Sequence, residues 1–132
     1  MAIRGAGFSR SFRAVAESAG AAREFVAEML GGPIATPAGG ELLLLTDELV
    51  SNAILHSGGA QFDLDVALDG PSVRVSVHDT SRQLLQPNRS PSFNGRGLLL
   101  VDRFAEEWGV RHPRETGKCV WFELRTPTQT EI

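Results

Sequence analysis

The stretch "QFDLDVALDGPSVRVSVHD" (61–79) contains two runs in which apolar and polar residues alternate. Strict alternation is typical of a strand with one buried face, because successive side chains of a strand point to opposite sides. Asp69-Gly70 separates the runs and has the composition of a tight turn. The stretch therefore predicts an antiparallel hairpin. Its inward positions are Phe62, Leu64, Val66, Leu68, Val73, Val75 and Val77.

Two helices are predicted before this hairpin, because apolar residues recur there at helical spacing. The first covers about residues 18–30 and is ended by Gly31-Gly32-Pro33. Pro37 through Gly40 is predicted to be a break. The second helix covers about residues 41–57 and is ended by Gly58-Gly59, since glycine tolerates the left-handed conformation that commonly closes a helix. Residues 11–15 are predicted to form an edge strand.

The chain after the hairpin begins with a polar segment, residues 80–94, which has two prolines and no periodicity. A loop of this length in a compact domain is usually functional and often a lid. A third helix is predicted over about residues 97–107. Val110 starts a strand, Thr116-Gly117-Lys118 turns the chain, and residues 119–124 form the last strand.

This order of elements predicts an α/β (α+β) two-layer sandwich, in which a mixed, mostly antiparallel sheet carries about three helices on one face. Residues 10–126 are expected to form a single domain. A flexible N-terminus (1–9) and a flexible tail (127–132) are expected on either side of it.

The composition of the chain excludes several classes of protein. Its 132 residues have a formal net charge of −3 and contain no dense basic block, which argues against direct nucleic-acid binding. We find no apolar stretch long enough to span a bilayer and no signal-peptide core, so we expect a cytoplasmic protein without a membrane partner. The one cysteine, Cys119, lies in an apolar run and is predicted to be a buried, inert thiol.

The second predicted helix contains "TDELVSNAILHS" (46–57), in which Glu48, Asn52 and His56 lie four residues apart and therefore on one side. Magnesium bound with a nucleotide takes only one or two protein oxygens, and an amide ligand would leave the nearby carboxylate to act as a base. Taken alone, however, the pattern is more typical of an ordinary solvent-facing side of a helix.

Two further segments carry polar groups suited to a nucleotide. Asp79 ends a strand whose valines point into the core, and a buried aspartate there can accept a hydrogen bond from an exocyclic amine. In "NGRGLLLVDRF" (94–104), Gly95 and Gly97 lie just before a helix. Glycine lets the backbone approach a phosphate, and free N–H groups at a helix start favour an anion. Taken alone, Asp79 is also a good turn residue, and the glycines fit an ordinary loop end.

Together the three segments resemble the ATP-binding domain of the gyrase, heat-shock chaperone, histidine kinase and MutL superfamily (GHKL, with the Bergerat-type fold). Within it, the chain is most similar to the small stand-alone bacterial anti-sigma-factor serine/threonine kinases. "DELVSNAILHS" resembles the N box of that family, and "VSVHDTS" its adenine-contacting segment. "GRGLLLVDRFAEEWGV" and "GKCVWFEL" resemble its phosphate loop, the following helix and the last strand. The likeness covers roughly residues 10–125.

The resemblance implies a role for individual residues. Glu48 would be the general base, Asn52 would hold magnesium, and Asp79 would bond the adenine amino group. Residues 82–94 would be the lid. The nucleotide-binding residues implied in this way are Asn52, Asp79, Ser81, Gly95, Arg96, Gly97 and Leu98.

The resemblance also implies a function: an ATP-binding regulatory protein that uses Mg²⁺ and acts as a serine/threonine protein kinase and anti-sigma factor in a partner-switching system. Its partners would be a sigma factor, an anti-anti-sigma protein, or both, and a second copy of the chain. The alternative is a catalytically weak or inactive nucleotide-binding module that works by protein binding alone, and a third reading is an ATPase with water as acceptor. Retained Glu48 favours the kinase. Ser81, where the family has glycine, and the single GxG favour the binding module.

Overall fold

The computed structural model of the chain describes residues 7–30, 37–56, 61–79, 96–111 and 118–125. These residues form five strands and three helices. In chain order the elements are β1 (Gly7–Arg13), α1 (Ser18–Met29), α2 (Pro37–His56), β2 (Gln61–Asp69), β3 (Ser72–Asp79), α3 (Arg96–Phe104), β4 (Glu107–Arg111) and β5 (Lys118–Arg125).

The strands form one open sheet in the order β1-β2-β3-β5-β4, and every pairing among them is antiparallel. The order puts β3 in the centre and leaves β1 and β4 at the edges. All three helices contact the sheet. The predicted α+β sandwich, with a mostly antiparallel sheet and three helices, is therefore confirmed.

The predicted hairpin is formed by β2 and β3, with Asp69 opposite Ser72. Gly70 has a φ of 62°, a conformation that suits glycine because it lacks a Cβ. Pro71 is the second residue of the turn, and its ring fixes φ at a negative value. The tight turn is therefore Gly70-Pro71, one residue later than predicted.

The core lies between the sheet and the helices. The inward residues of β2, β3 and β5 alternate strictly with outward ones, as a sheet with one covered face requires. On β1, the ring of Phe12 stacks on Phe62 at 5.6 Å and meets the edge of Phe25 from α1 at 6.2 Å. The helices contribute Ala22, Phe25, Val26, Leu42, Leu45, Leu49, Val50, Ala53 and Val101 to the same core.

Several element boundaries differ from the predicted ones. α2 begins at Pro37, within the segment predicted to be a break, because proline is well tolerated in the first turn of a helix, where its missing N–H is not needed. β1 begins at Gly7, before the domain boundary predicted at residue 10. β4 begins at Glu107 and β5 at Lys118, each earlier than predicted. The lid segment 82–94 and residues 127–132 lie outside the described residues.

None of the helices that the structure describes has both the length and the apolar character needed to cross a membrane.

Candidate nucleotide-binding site

The polar side of α2 contributes the first residues of the site. Leu45 and Leu49 are buried against the sheet, because apolar positions of a helix three and four residues apart share a face. Glu48 and Asn52 lie one helical turn apart and are half-buried. The two oxygen-bearing groups are therefore at the margin between the core and solvent, where a bound molecule can reach them.

The end of β3 contributes Asp79. Its side chain points to the helix-covered side of the sheet, because it continues the inward series Val73, Val75 and Val77. The residue is only 2% exposed. Its neighbours across the sheet are Phe62 on β2 and Lys118 on β5. The prediction that Asp79 is a buried carboxylate at a strand end is confirmed.

The start of β5 contributes Lys118, which is directly opposite Asp79 in the β3–β5 register. Its Nζ atom lies 3.4 Å from Oδ2 of Asp79, and the two side chains are 9% and 3% exposed. A charge-assisted N–H···O bond is usually about 2.7–2.9 Å, so this contact is a long one. Removing two charges from water carries a large desolvation penalty. A buried ion pair with a long contact is therefore an unusual element of the core.

These elements surround one pocket, in which α2, β3 and β5 meet. The space inside it, counted together with the adjoining space that is open to solvent, is about 310 Å³. Its lining combines apolar walls with an amide, a carboxylate and an ammonium, as is common for small-molecule sites. The described lining residues are Leu49, Asn52, Ala53, Val77, Asp79, Lys118 and Val120.

The chemistry of this pocket fits a nucleotide base with flat apolar faces and a polar edge. The leucine, alanine and valine side chains can cover the faces, and Asp79 and Lys118 offer an acceptor and a donor for the edge. The amide oxygen of Asn52 is a hard ligand. Magnesium bound with ATP takes one or two such oxygens from the protein. Among the described residues, no cluster of three or more histidine, cysteine, aspartate or glutamate residues could hold a metal ion.

The structure brings together two of the residues singled out in the sequence, Asn52 and Asp79, in the same pocket. Glu48 lies one turn before Asn52 on α2 and is not among the lining residues. Arg96, Gly97 and Leu98 form the first turn of α3. Only their backbone is described, so their contact with phosphates stays a prediction. Ser81 and Gly95 lie outside the described residues.

Sequence reasoning missed Lys118, because it was assigned to a turn. A signal for it was nevertheless present in the sequence. Counting back by two from Leu124, Phe122 and Val120 places Lys118 on the inward side of the last strand. A lysine at an inward position needs a partner, since an isolated buried ammonium is strongly disfavoured. The alternation could therefore have pointed to a buried pair.

On the other face of β5, the next residue is Cys119. Burial raises the pKa of its thiol, Asp65 adds to the rise, and Arg111 and Arg74 oppose it. The thiol is therefore protonated at neutral pH. Cys119 was predicted to be buried, but it is only half-buried, because it points to the outer face of the sheet.

The fold and the pocket agree with a comparison with known protein families. The family model described as histidine kinase-like ATPase domain matches residues 9–124. The chain belongs to this family. Membership implies an ATP-binding domain, usually one that takes Mg²⁺ with the nucleotide, and supports an ATP-binding regulatory role. No curated protein gives a significant match to the chain.

Proposed function

We propose that this protein is a serine/threonine protein kinase that acts as an anti-sigma factor in a partner-switching system. It would bind Mg-ATP in the pocket between α2, β3 and β5 and transfer the γ-phosphoryl group to a hydroxyl of a partner protein. The partner would be an anti-anti-sigma protein, and the sequestered protein a sigma factor. We also expect two copies of the chain to associate.

The observation that carries the proposal is the meeting of Asn52 and Asp79 in one pocket, although 27 positions separate them in the sequence. Asp79 would accept a hydrogen bond from the adenine amine, and the oxygen of Asn52 would take a place on magnesium. Family membership independently supports ATP as the ligand.

The retention of Glu48 supports transfer rather than binding alone. In the transfer, the bond from the γ-phosphorus to the bridging oxygen breaks, a bond to the acceptor hydroxyl oxygen forms, and ADP leaves. The hydroxyl proton must go to a base, and Glu48 is a carboxylate one turn from Asn52. Phosphoryl transfer depends mostly on positioning and charge neutralisation, so a base, a metal ligand and backbone donors are a sufficient set.

The test of the nucleotide site is calorimetric titration of the intact chain with Mg-ATP and Mg-ADP, beside Asn52→Ala. We expect magnesium-dependent binding that the variant loses. Ser51→Ala is the matched control, because Ser51 is a half-buried neighbour on α2 that is not among the pocket-lining residues. Normal Mg-ATP binding by Asn52→Ala would show that the metal-ligand assignment is wrong.

The test of the kinase step is transfer of labelled phosphate to a candidate anti-anti-sigma protein, with Glu48→Gln beside the intact chain. We expect this variant to keep Mg-ATP binding and to lose transfer by about 10²–10⁴-fold, the usual contribution of a general base. Asp47→Asn is the control, because it removes the same charge from the same helix. Native Asp47 pairs with Arg23 at 2.8 Å and has no proposed role in transfer. ATP binding without transfer by the intact chain would favour the alternative, a nucleotide-binding module that acts by protein binding alone.

A further inference from the structure

Asp79 and Lys118 form a buried contact at the wall of the pocket. The other inward positions of β3 and β5 are apolar, so a charged pair is the exception on the covered face of the sheet. Replacing a buried ion pair by apolar residues is often neutral or even stabilising. A buried pair is therefore weak evidence for a role in stability, and the location of this one in the pocket suggests a ligand.

The two groups form an acceptor and a donor side by side, because they are direct partners in the register of adjacent strands. A carboxylate only accepts hydrogen bonds, and an ammonium only donates them. A ligand edge that presents a donor next to an acceptor would complement both. The ammonium has three N–H groups, so it can keep its 3.4 Å contact with Oδ2 of Asp79 and donate another hydrogen bond to a ligand.

We propose that Lys118 is a base-recognition residue, which donates a hydrogen bond to ring nitrogen N1 of adenine while Asp79 accepts one from the exocyclic amine. The proposal rests on the proposed function, since it assumes that the pocket holds the base of ATP. Lys118 would also supply the positive charge that compensates the Asp79 carboxylate among the apolar side chains of Leu49, Val77 and Val120.

The pairing gives the pocket a basis for choosing between purines. Adenine has a donor at position 6 and an acceptor at N1, which match Asp79 and Lys118 in that order. Guanine has an acceptor at position 6 and a donor at N1, so in the same pose a carbonyl would face the carboxylate and an N–H would face the ammonium. An acceptor that faces an acceptor and a donor that faces a donor weaken binding, and binding sites reject wrong ligands in this way. The protein should therefore bind ATP in preference to GTP.

The experiment compares nucleotides rather than only variants, so it does not depend on the folding of a mutant. The intact chain is titrated calorimetrically with the magnesium complexes of ATP, GTP and 1-deaza-ATP, in which a C–H replaces N1 and the amine is kept. We expect 1-deaza-ATP to bind about ten- to a hundredfold more weakly than ATP, the loss typical of one hydrogen bond to a charged group. GTP should bind at least as weakly as 1-deaza-ATP.

The variant Lys118→Met completes a double-mutant cycle, because methionine keeps most of the length of lysine and lacks the donor. This variant should bind ATP more weakly than the intact chain does and should no longer distinguish ATP from 1-deaza-ATP. Arg74→Met is the matched control, since it makes the same kind of change in β3 on the opposite face of the sheet. It should keep the full discrimination.

The outcomes separate this inference from the proposed function. If the intact chain binds ATP and 1-deaza-ATP equally well, Lys118 does not contact N1 and the pair is structural, while the ATP site stands. If the intact chain binds no adenine nucleotide, the proposed function is wrong and the base-recognition role falls with it.

Discussion

Strands β3 and β5 carry two ion pairs in the same cross-strand geometry but on opposite faces of the sheet. Asp79 and Lys118 are direct partners on the helix-covered face, and their side chains are 3% and 9% exposed. Arg74 and Glu123 are direct partners on the other face, and theirs are 38% and 28% exposed. The outer contact, at 3.1 Å, is shorter than the inner contact of 3.4 Å.

The outer pair is supported by aromatic contacts on the solvent-facing side of the sheet. The guanidinium of Arg74 lies 4.2 Å from the centre of the Trp121 ring, and Arg111 lies 5.8 Å from the same ring. Cations over an indole face are favourable, and water keeps the charges solvated. An exposed ion pair of this kind carries only a small desolvation penalty on a solvent-facing sheet.

The inner pair differs because its charges have lost most of their water and its contact is longer. An acid–base pair of direct cross-strand partners therefore has a different environment on each of the two faces. On the outer face they stabilise the surface slightly. On the inner face they line the pocket, where we propose that they contact the base, and variants of each pair can test this difference.

The largest effect is expected for Lys118→Met. This change leaves the Asp79 carboxylate buried without its ammonium, and breaking a buried pair typically destabilises a protein by about 3–5 kcal/mol. Urea denaturation followed by circular dichroism measures the free energy of unfolding. The double variant Asp79→Leu/Lys118→Met should recover most of the loss, because neither charge then remains. A double variant as unstable as the single one would mean that the pair is needed for stability and would weaken the case for a ligand.

A smaller effect is expected for Arg74→Met. It removes a half-exposed ion pair and a cation–π contact, which together contribute about 1 kcal/mol at low salt. The same denaturation series at low and high salt should show that this difference shrinks, because salt screens exposed charges. A loss as large as that of Lys118→Met would contradict the contrast between the two faces.

The smallest effect is expected at Cys119, which lies beside Lys118 in β5 but on the outer face. Since burial raises the pKa of this thiol, the folded chain disfavours the thiolate. Its contribution to stability is thus present below the ordinary thiol pKa, about 8.5, and is lost as the pH rises through the folded value.

Iodoacetamide alkylation of the native and urea-unfolded chains over a pH series checks this prediction. Alkylation of the native chain should begin at higher pH than that of the unfolded chain. Cys119→Ala should lack the corresponding fall in stability at alkaline pH. Equal pH profiles for the two chains would show that the thiol is not shielded.

The hairpin and the helical segments could be predicted because local periodicity reports burial directly. Phe62 to Leu68 and Val73 to Val77 alternate because one side of each strand packs on the helices. The prediction failed where a boundary depends on backbone chemistry. Pro37 fits a break between elements, but proline can also begin a helix, as it does here. Lys118 fits a turn because it follows Gly117, but it begins β5.

The polar residues of the site were only partly predictable. Helical spacing points to Asn52 and a strand end points to Asp79, the family motifs imply a role for each, and the structure places both at one pocket. Glu48 was placed correctly on the same side of α2, but its role as a base stays a prediction. The assigned contacts of Ser81 and Gly95 also stay predictions, because these residues lie outside the described part of the chain.

The sequence by itself determined the two periodicities, the order of the elements and, through its motifs, the class of nucleotide-binding domain. These properties follow from local patterns, because burial on one face repeats every two residues in a strand and about every 3.6 in a helix. Only the tertiary structure decided that Lys118 faces Asp79 across β3 and β5. Residues 39 positions apart meet only when the register of two antiparallel strands is fixed, and that register depends on the packing of the whole sheet against its helices.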